Sequence, residues 1–324
     1  MLEKSEHDIM KNWDPKEEIR VSCCCVAYNH EKYIEEALDS VLMQETNFPF
    51  EIIIRDDCST DATQAIIKRY AKKYPTLIKA ILETENQYSQ GIKPGPAIFQ
   101  YVKGKYIALL ETDDYWNDPN KLQIQTEFLE AHKDYVISYH DCTLIDKDGE
   151  VIATTINPNL QDYSSDALKC GDIFIHPNTT LFRNVSIHFT KIFDDILNGD
   201  TVLFHLLGFY GHGKFQKEIK NSIYRVHGHG IWSSLDRVEK MKNNIKTKQA
   251  LQKNLINKPI LIAKIEENIN HSLLSHLRQS LAEKDLHAYL QIIGYILSNR
   301  EIHRRILWQH IQDTLYRLRK KSLQ

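Results

Sequence analysis

Two rhythms alternate through the first 140 residues. Residues 20–27, 51–55, 78–82 and 105–110 are short apolar runs, as expected of strands buried on both faces of a parallel sheet. Between them run stretches with the period of amphipathic helices. In 30–43, Ile34, Leu38, Val41 and Leu42 share one face behind Asn29 as a helix cap. A second helix is predicted over 62–73. A third, over 97–102, follows a loop holding Gly91, Pro94, Gly95 and Pro96. Asp118-Pro119 restarts a helix, with Asp as cap and Pro at the first helical position. This alternation predicts a doubly wound α/β sheet, mostly parallel and flanked by helices. Such sheets bind ligands beyond the carboxyl ends of their strands. Two polar clusters fall there: Asp56-Asp57-Cys58-Ser59-Thr60-Asp61 and Glu111-Thr112-Asp113-Asp114.

The pattern changes near Leu235. Glycine almost vanishes, and helical periodicity runs to the end of the chain. Leu273, Leu274, Leu277 and Leu281, then Leu286, Tyr289, Leu290 and Ile293, predict a helical hairpin turning at Glu283-Lys284-Asp285. A last helix is predicted over 302–318, with Arg304, Arg305, Arg317, Arg319, Lys320 and Lys321 in or just beyond it. Three regions result: a charged, frayed lead-in over 1–18, a catalytic α/β domain over 19–234 and a helical region over 235–324. The helical region has two readings. It packs on the catalytic domain or on another subunit of a homo-oligomer, or its basic end rests on anionic lipid as a peripheral membrane foot.

Composition narrows the class. With 42% hydrophobic and 26% charged residues the chain reads as an ordinary globular protein, and a formal net charge of −2 argues against nucleic acid as a partner. Cys23-Cys24-Cys25 cannot form a ligand cage alone, because neighbouring strand residues point to opposite faces. Cys58, Cys142 and Cys170 lack zinc-like spacing. Free thiols, no secretory signal in the first eighteen residues and no bilayer-length apolar run place the chain in the cytoplasm, or on the inner face of the membrane if the foot is real.

Adjacent carboxylates at a strand end suit a hard dication such as Mn²⁺ or Mg²⁺ shared with substrate phosphates. Such an ion stabilises the charge that forms on a departing diphosphate. Taken alone, an Asp pair before an aromatic is a weak signal. Its setting is specific: VSCCCVAYNHEKYIEEALDSVLMQ, FEIIIRDDCSTDAT and GKYIALLETDDYW occur in order, followed by DPNKLQIQTEFLEAH and, more loosely, YRVHGHGIWS. Together these blocks resemble the family 2 glycosyltransferases of the GT-A (nucleotide-diphospho-sugar transferase) fold, over about two-thirds of the chain.

The resemblance implies roles. Tyr28 would lie on the nucleobase with Ala27 giving backbone contacts, although Tyr28 also reads as a core aromatic. Asp57 would accept the imide N–H of uracil, and Asp56 would hold the turn. Asp61 reads rather as a helix cap boxed with Gln64. Asp113 would meet ribose or metal, Asp114 would be the principal metal ligand, and Glu111 would stand behind them or merely end the strand. Asp200, in Gly199-Asp200 ahead of Val202, Leu203, Leu206 and Leu207, would be the base of an inverting transfer, or an ordinary N-cap. Asp194 and Asp195 are weaker candidates for that base. His227, rather than His229, would be a third metal ligand and Arg225 a phosphate contact. Trp232 would stack on a sugar or anchor its loop, and Asn178, Thr179 and Thr180 would belong to an acceptor-side loop.

The implied function is transfer of a sugar from a nucleotide-sugar, with UDP favoured, to a glycan or lipid-linked acceptor in surface polysaccharide or glycoconjugate synthesis. A nucleotidyltransferase would need a Gly-rich loop where Val26-Ala27-Tyr28-Asn29-His30 stands. A non-catalytic nucleotide-sugar or glycan-binding protein would be favoured by loss of Asp57, Asp113, Asp114 or Asp200, all of which are present. No Gln-x-x-Arg-Trp motif of a processive synthase follows the base.

Overall fold

The computed structural model describes residues 3–188, 191, 194–228, 230, 232–299, 302, 306–308 and 310–312. Strands β1 (Val21–Ala27), β2 (Phe50–Asp56), β3 (Ile78–Leu82) and β4 (Tyr106–Glu111) are the four apolar runs of the sequence, shifted by a residue or two. They join β5 (Tyr135–Tyr139), β8 (Leu181–Arg183) and β9 (His212–Phe215) in one sheet of order β3-β2-β1-β4-β8-β5-β9. All pairings are parallel except those of β8, which runs antiparallel to both β4 and β5. A second sheet, β10-β6-β7, combines β6 (Cys142–Asp146), β7 (Val151–Ala153) and β10 (Ser222–Val226). These later strands are too short and too mixed to show a period, and were not expected. The overall architecture is the predicted mixed α/β sheet with flanking helices.

The core lies on both faces of the main sheet. Cys23 and Cys25 pack with Ile52 and Ile54 on one side, while Cys24 packs with Ile53 and Ile107 on the other. All six cysteines are thiols, and the buried trio form no cage. On the first face lie α2 (Ile34–Leu42) and α3 (Thr63–Lys73), with α5 (Lys121–Ala131) beside them. The lead-in is not frayed. Helix α1 (Glu6–Met10) buries Ile9 in this core, and Glu6 Oε1 accepts the N–H groups of Thr76 and Leu77 at 2.8 and 3.0 Å.

Helix starts differ from expectation wherever a polar side chain found a longer-range partner. Helix α2 begins at Ile34 with Tyr33 as N-cap, because Asn29 is tied to the next loop. Helix α5 begins at Lys121, because Asp118 accepts Asn120 N and, through its other oxygen, Lys220 N, each at 2.9 Å. The third expected helix is α4 (Pro94–Ile98) plus a 3₁₀ turn, Phe99–Tyr101.

Helix α6 (Ser165–Cys170) precedes α7 (Gly199–Leu207), which lies between two cores. Its Leu203, Phe204 and Leu207 join the sheet, while Val202 and Leu206 join the C-terminal helices. Those are α8 (Arg237–Asn254), α9 (Pro259–Ala282) and α10 (Leu286–Ser298). A capping box of Asp236 and Glu239 starts α8, and the α9–α10 turn falls at Glu283-Lys284-Asp285, with Lys284 at φ 59°. Of the expected last helix, residues 306–308 and 310–312 are helical, and the basic residues named for it lie outside the described residues. Among the described residues, no helix is long and apolar enough to cross a membrane.

Candidate active site

At the carboxyl end of the sheet the loops after β1 and β2 are laced together. Asn29 (φ 55°) and Cys58 (φ 64°) both take the left-handed conformation, which turns each chain sharply at the strand end. Asn29 Oδ1 accepts Thr60 N, Asn29 N donates to Ser59 Oγ, and His30 N donates to Thr63 Oγ1, all within 2.8–2.9 Å. Asp61 does not box with Gln64. It accepts Thr63 N at 2.9 Å and Glu31 N at 3.1 Å, whereas Gln64 Nε2 reaches Asp56 at 2.7 Å. Asp56 therefore holds the turn, as expected.

Tyr28 leaves this knot 45% exposed, so it is no core aromatic and its ring is open to a ligand. Ala27 is buried, and its carbonyl accepts Asp57 N at 3.0 Å. Asp57 departs from its expected role. It is buried, and its two oxygens accept Gln87 N and Tyr88 N, each at 3.0 Å, with the Arg55 guanidinium 3.6 Å away. In this arrangement both Asp57 oxygens are engaged in pinning the 87–88 loop.

The acidic loop divides its labour differently from expectation. Asp114 is 1% exposed; Oδ1 accepts Arg225 N and Oδ2 accepts Asn178 Nδ2, both at 2.9 Å. Burial and the charges of Asp113 and Glu111 push its carboxyl up, against those two bonds. Asp113 turns to the two imidazoles: Oδ2 lies 2.9 Å from His227 Nε2 and 3.9 Å from His30 Nε2, while Oδ1 is buried without a partner among the described residues. Burial works to raise Asp113, but the His227 bond and the two imidazoles outweigh it and hold it below the usual range. Asp113 is thus the carboxylate held ionised, and Asp114 is the anchor that fastens the loop to β10. Tyr115 completes that anchor by pairing with Ile223 through both backbone bonds, at 2.8 and 3.2 Å.

Glu111, Asp113 and Asp114 bring carboxylate oxygens within 4.8 Å of one another, as His30, Asp113 and His227 do with theirs and their ring nitrogens. These donor sets, with an unpartnered carboxylate oxygen among them, fit a divalent cation. Desolvation, then the charges of Asp113 and Asp200, push Glu111 up to about 8, so Asp200 lies near enough for its charge to bear on the acidic loop. It is half-buried in the first turn of α7, whose N-cap is Asn198, so the N-cap reading of Asp200 fails. Burial raises its carboxyl above the ordinary value. Asp194 and Asp195 are exposed.

Arg225 is not placed to hold a phosphate. Its guanidinium is 2.7 Å from Glu36, its Nε donates to Asp113 O at 3.2 Å, and its charge lies over the Tyr33 and Tyr115 rings at 4.6 and 5.9 Å. It clamps the acidic loop to α2. Asn178, Thr179 and Thr180 are likewise buried scaffold. Asn178 O accepts the Trp116 indole at 2.7 Å, and its Nδ2 reaches Asp114. Trp232 is half-buried, and His229 lies outside the described residues.

Two residues went unread in the sequence. Lys121 is fully buried over the Trp116 ring at 4.2 Å, with Nζ on Gln125 at 2.7 Å, and burial brings it down to about 7. His30 sits beside the metal loop, its Nδ1 2.9 Å from Thr112 Oγ1. The only available signal for His30 was its place one residue beyond the turn that ends β1.

A family model described as glycosyl transferase family 2 matches residues 22–188, more than half of the 324-residue chain. The uncharacterized protein Rv1520 of Mycobacterium tuberculosis is 36% identical over 218 residues, 66% of this chain and 61% of its own. TarS of Staphylococcus aureus, named a poly(ribitol-phosphate) beta-N-acetylglucosaminyltransferase, is 34% identical over 122 residues, 37% of this chain and 20% of its own. The chain thus spans less than two thirds of the length of these curated relatives. Its fold matches TarS 1–349 in complex with UDP-GlcNAc at TM-score 0.57, with 18% identity over 85% of this chain and 80% of that one. It also matches the mannosyltransferase PcManGT of Pyrobaculum calidifontis, in complex with GDP-Man and Mn²⁺, at TM-score 0.53, with 18% identity over 96% and 88% of the two chains.

Proposed function

The chain belongs to glycosyl transferase family 2, and on that premise we propose that it is an inverting transferase acting on a nucleotide-diphosphate sugar, with UDP favoured. The observation that supports this most is the gathering of carboxylate oxygens from Glu111, Asp113 and Asp114 within 4.8 Å of one another at the end of β4, with Asp200 near enough for its charge to bear on Glu111. In this reading the acceptor hydroxyl attacks the anomeric carbon as Asp200 takes its proton, and the bond from that carbon to the diphosphate breaks on the opposite side. Asp113 and His227 would hold the divalent cation, with Glu111 close by; that cation would supply charge to the leaving diphosphate. Asp114 and Arg225 keep Asp113 in place. Tyr28 offers a face for the base, and Asp57 shapes the base pocket through the loop it pins.

UDP-GlcNAc on TarS and GDP-Man with Mn²⁺ on PcManGT support a nucleotide-sugar donor and a divalent metal, and the poly(ribitol-phosphate) of the TarS name supports a polymer acceptor. We take the catalytic unit as 19–234 and the helical region as 235–324, whose helices α8, α9 and α10 share a core with α7. The test is a panel of UDP- and GDP-sugars incubated with the protein and Mn²⁺. Donor hydrolysis with one nucleotide class, abolished by a chelator, is expected; no turnover of any donor while nucleotide still binds would favour the non-catalytic binding protein instead.

A further inference from the structure

Thr112 orients the His30 ring. Its Oγ1 lies 3.1 Å from Val26 O and 2.9 Å from His30 Nδ1, so that in donating to the carbonyl it accepts from the imidazole. In that arrangement His30 Nδ1 carries the hydrogen and Nε2 presents a lone pair. That lone pair lies 3.9 Å from Asp113 Oδ2, with His227 Nε2 on the same oxygen at 2.9 Å and Asp113 Oδ1 buried beside them without a partner among the described residues. Two acceptors this close repel, and a cation held by both removes the repulsion. A ligating imidazole normally donates its other N–H to an oxygen, which orients the ring, and Thr112 does this for His30. Thr112 sits inside the acidic loop itself, so one segment carries both the carboxylate ligand and the group that aims the imidazole.

We propose that His30 is a metal ligand, so that the cation is held by His30 Nε2, Asp113 and His227 Nε2 in place of the proton that His227 shares with Asp113. The proposal rests on the metal-dependent reading above and adds a ligand and a selectivity to it. Mg²⁺ takes oxygen ligands almost exclusively, whereas imidazole nitrogens suit transition-metal ions. Two imidazoles on one ion therefore make the site prefer Mn²⁺ or Co²⁺ to Mg²⁺.

The experiment is Mn²⁺ binding to the full chain in the presence of UDP, followed by electron paramagnetic resonance, with electron spin-echo modulation counting bound ring nitrogens. The variants are His30→Ala and His30→Gln, the latter retaining a hydrogen-bonding side chain beside Thr112. Two imidazole nitrogens are expected on Mn²⁺ in the unaltered protein and one in each variant. Mn²⁺ affinity should fall by about 10- to 100-fold in the variants, with little change for Mg²⁺. Unchanged affinity and two nitrogens in both variants would overturn the assignment of His30 while leaving the metal-dependent reading intact. Failure of the unaltered protein to bind Mn²⁺ with UDP present would overturn that reading and the ligand assignment with it.

Discussion

The two neighbouring aspartates of the acidic loop show what decides a residue's role. Asp113 and Asp114 are indistinguishable by type and adjacent in sequence, yet one meets two imidazoles and the other is tied to the scaffold. The difference comes from β10 and the 3₁₀ turn Pro177–Thr179, which bring Arg225 N and Asn178 Nδ2 to Asp114. Neither contact is local, so no spacing within the loop reveals it. The acidic character and strand-end position were legible; the division of work was not. The place of Asp200 at the start of an apolar helix was legible from local pattern, while its role as base came only from the resemblance. Its environment yields a pH prediction. Burial raises its carboxyl, and a base works only when ionised, so kcat/KM should fall with acidification at a higher pH than an ordinary aspartate would give. A profile flat down to the normal aspartate range would contradict this.

Elements were read correctly where apolar runs were long, and misjudged where polar side chains crossed between loops. Asn29 has the composition of a helix cap, but its carboxamide reaches 31 residues onward to Thr60, and the helix waits until Ile34. Asp118 likewise reaches Lys220. The second sheet was unreadable because β7 has three residues and β10 gains its pairing from β6, some 80 positions earlier. Its strand β10 delivers Arg225 to the gap between Tyr33 and Tyr115. Arg225→Met should therefore lower the thermal midpoint while leaving UDP affinity within about threefold. A loss of UDP affinity beyond about tenfold, measured calorimetrically, would restore a phosphate role.

At the scale of the whole molecule, the C-terminal helices complete the support of α7. Helix α7, which carries Asp200, has one face on the sheet and the other against α8, in a core that α9 and α10 share. Leu251 of α8 is fully buried and close-packed on Gly171, where an added Cβ would stand 2.9 Å from its Cδ1. Gly171 ends α6 at φ 61°, so the contact also sets how α6 meets α7. Leu251→Ala should cost about 2–5 kcal/mol in urea unfolding. It should also slow transfer more than it weakens donor binding, since the cavity lies behind the base and away from Tyr28. The helical nature of this region was plain from its periodicity. That it braces the helix of the base was not, because Val202 and Leu206 look no different from their sheet-facing neighbours.

The central claim is that Asp200 is the base of a sugar transfer whose donor is held by the other strand-end loops. It is tested most directly by comparing the unaltered protein with Asp200→Asn, measuring UDP binding and single-turnover transfer from the accepted donor together. The account predicts unchanged UDP affinity and a transfer rate lower by about 10²- to 10⁴-fold. Transfer by Asp200→Asn at the rate of the unaltered protein would contradict it.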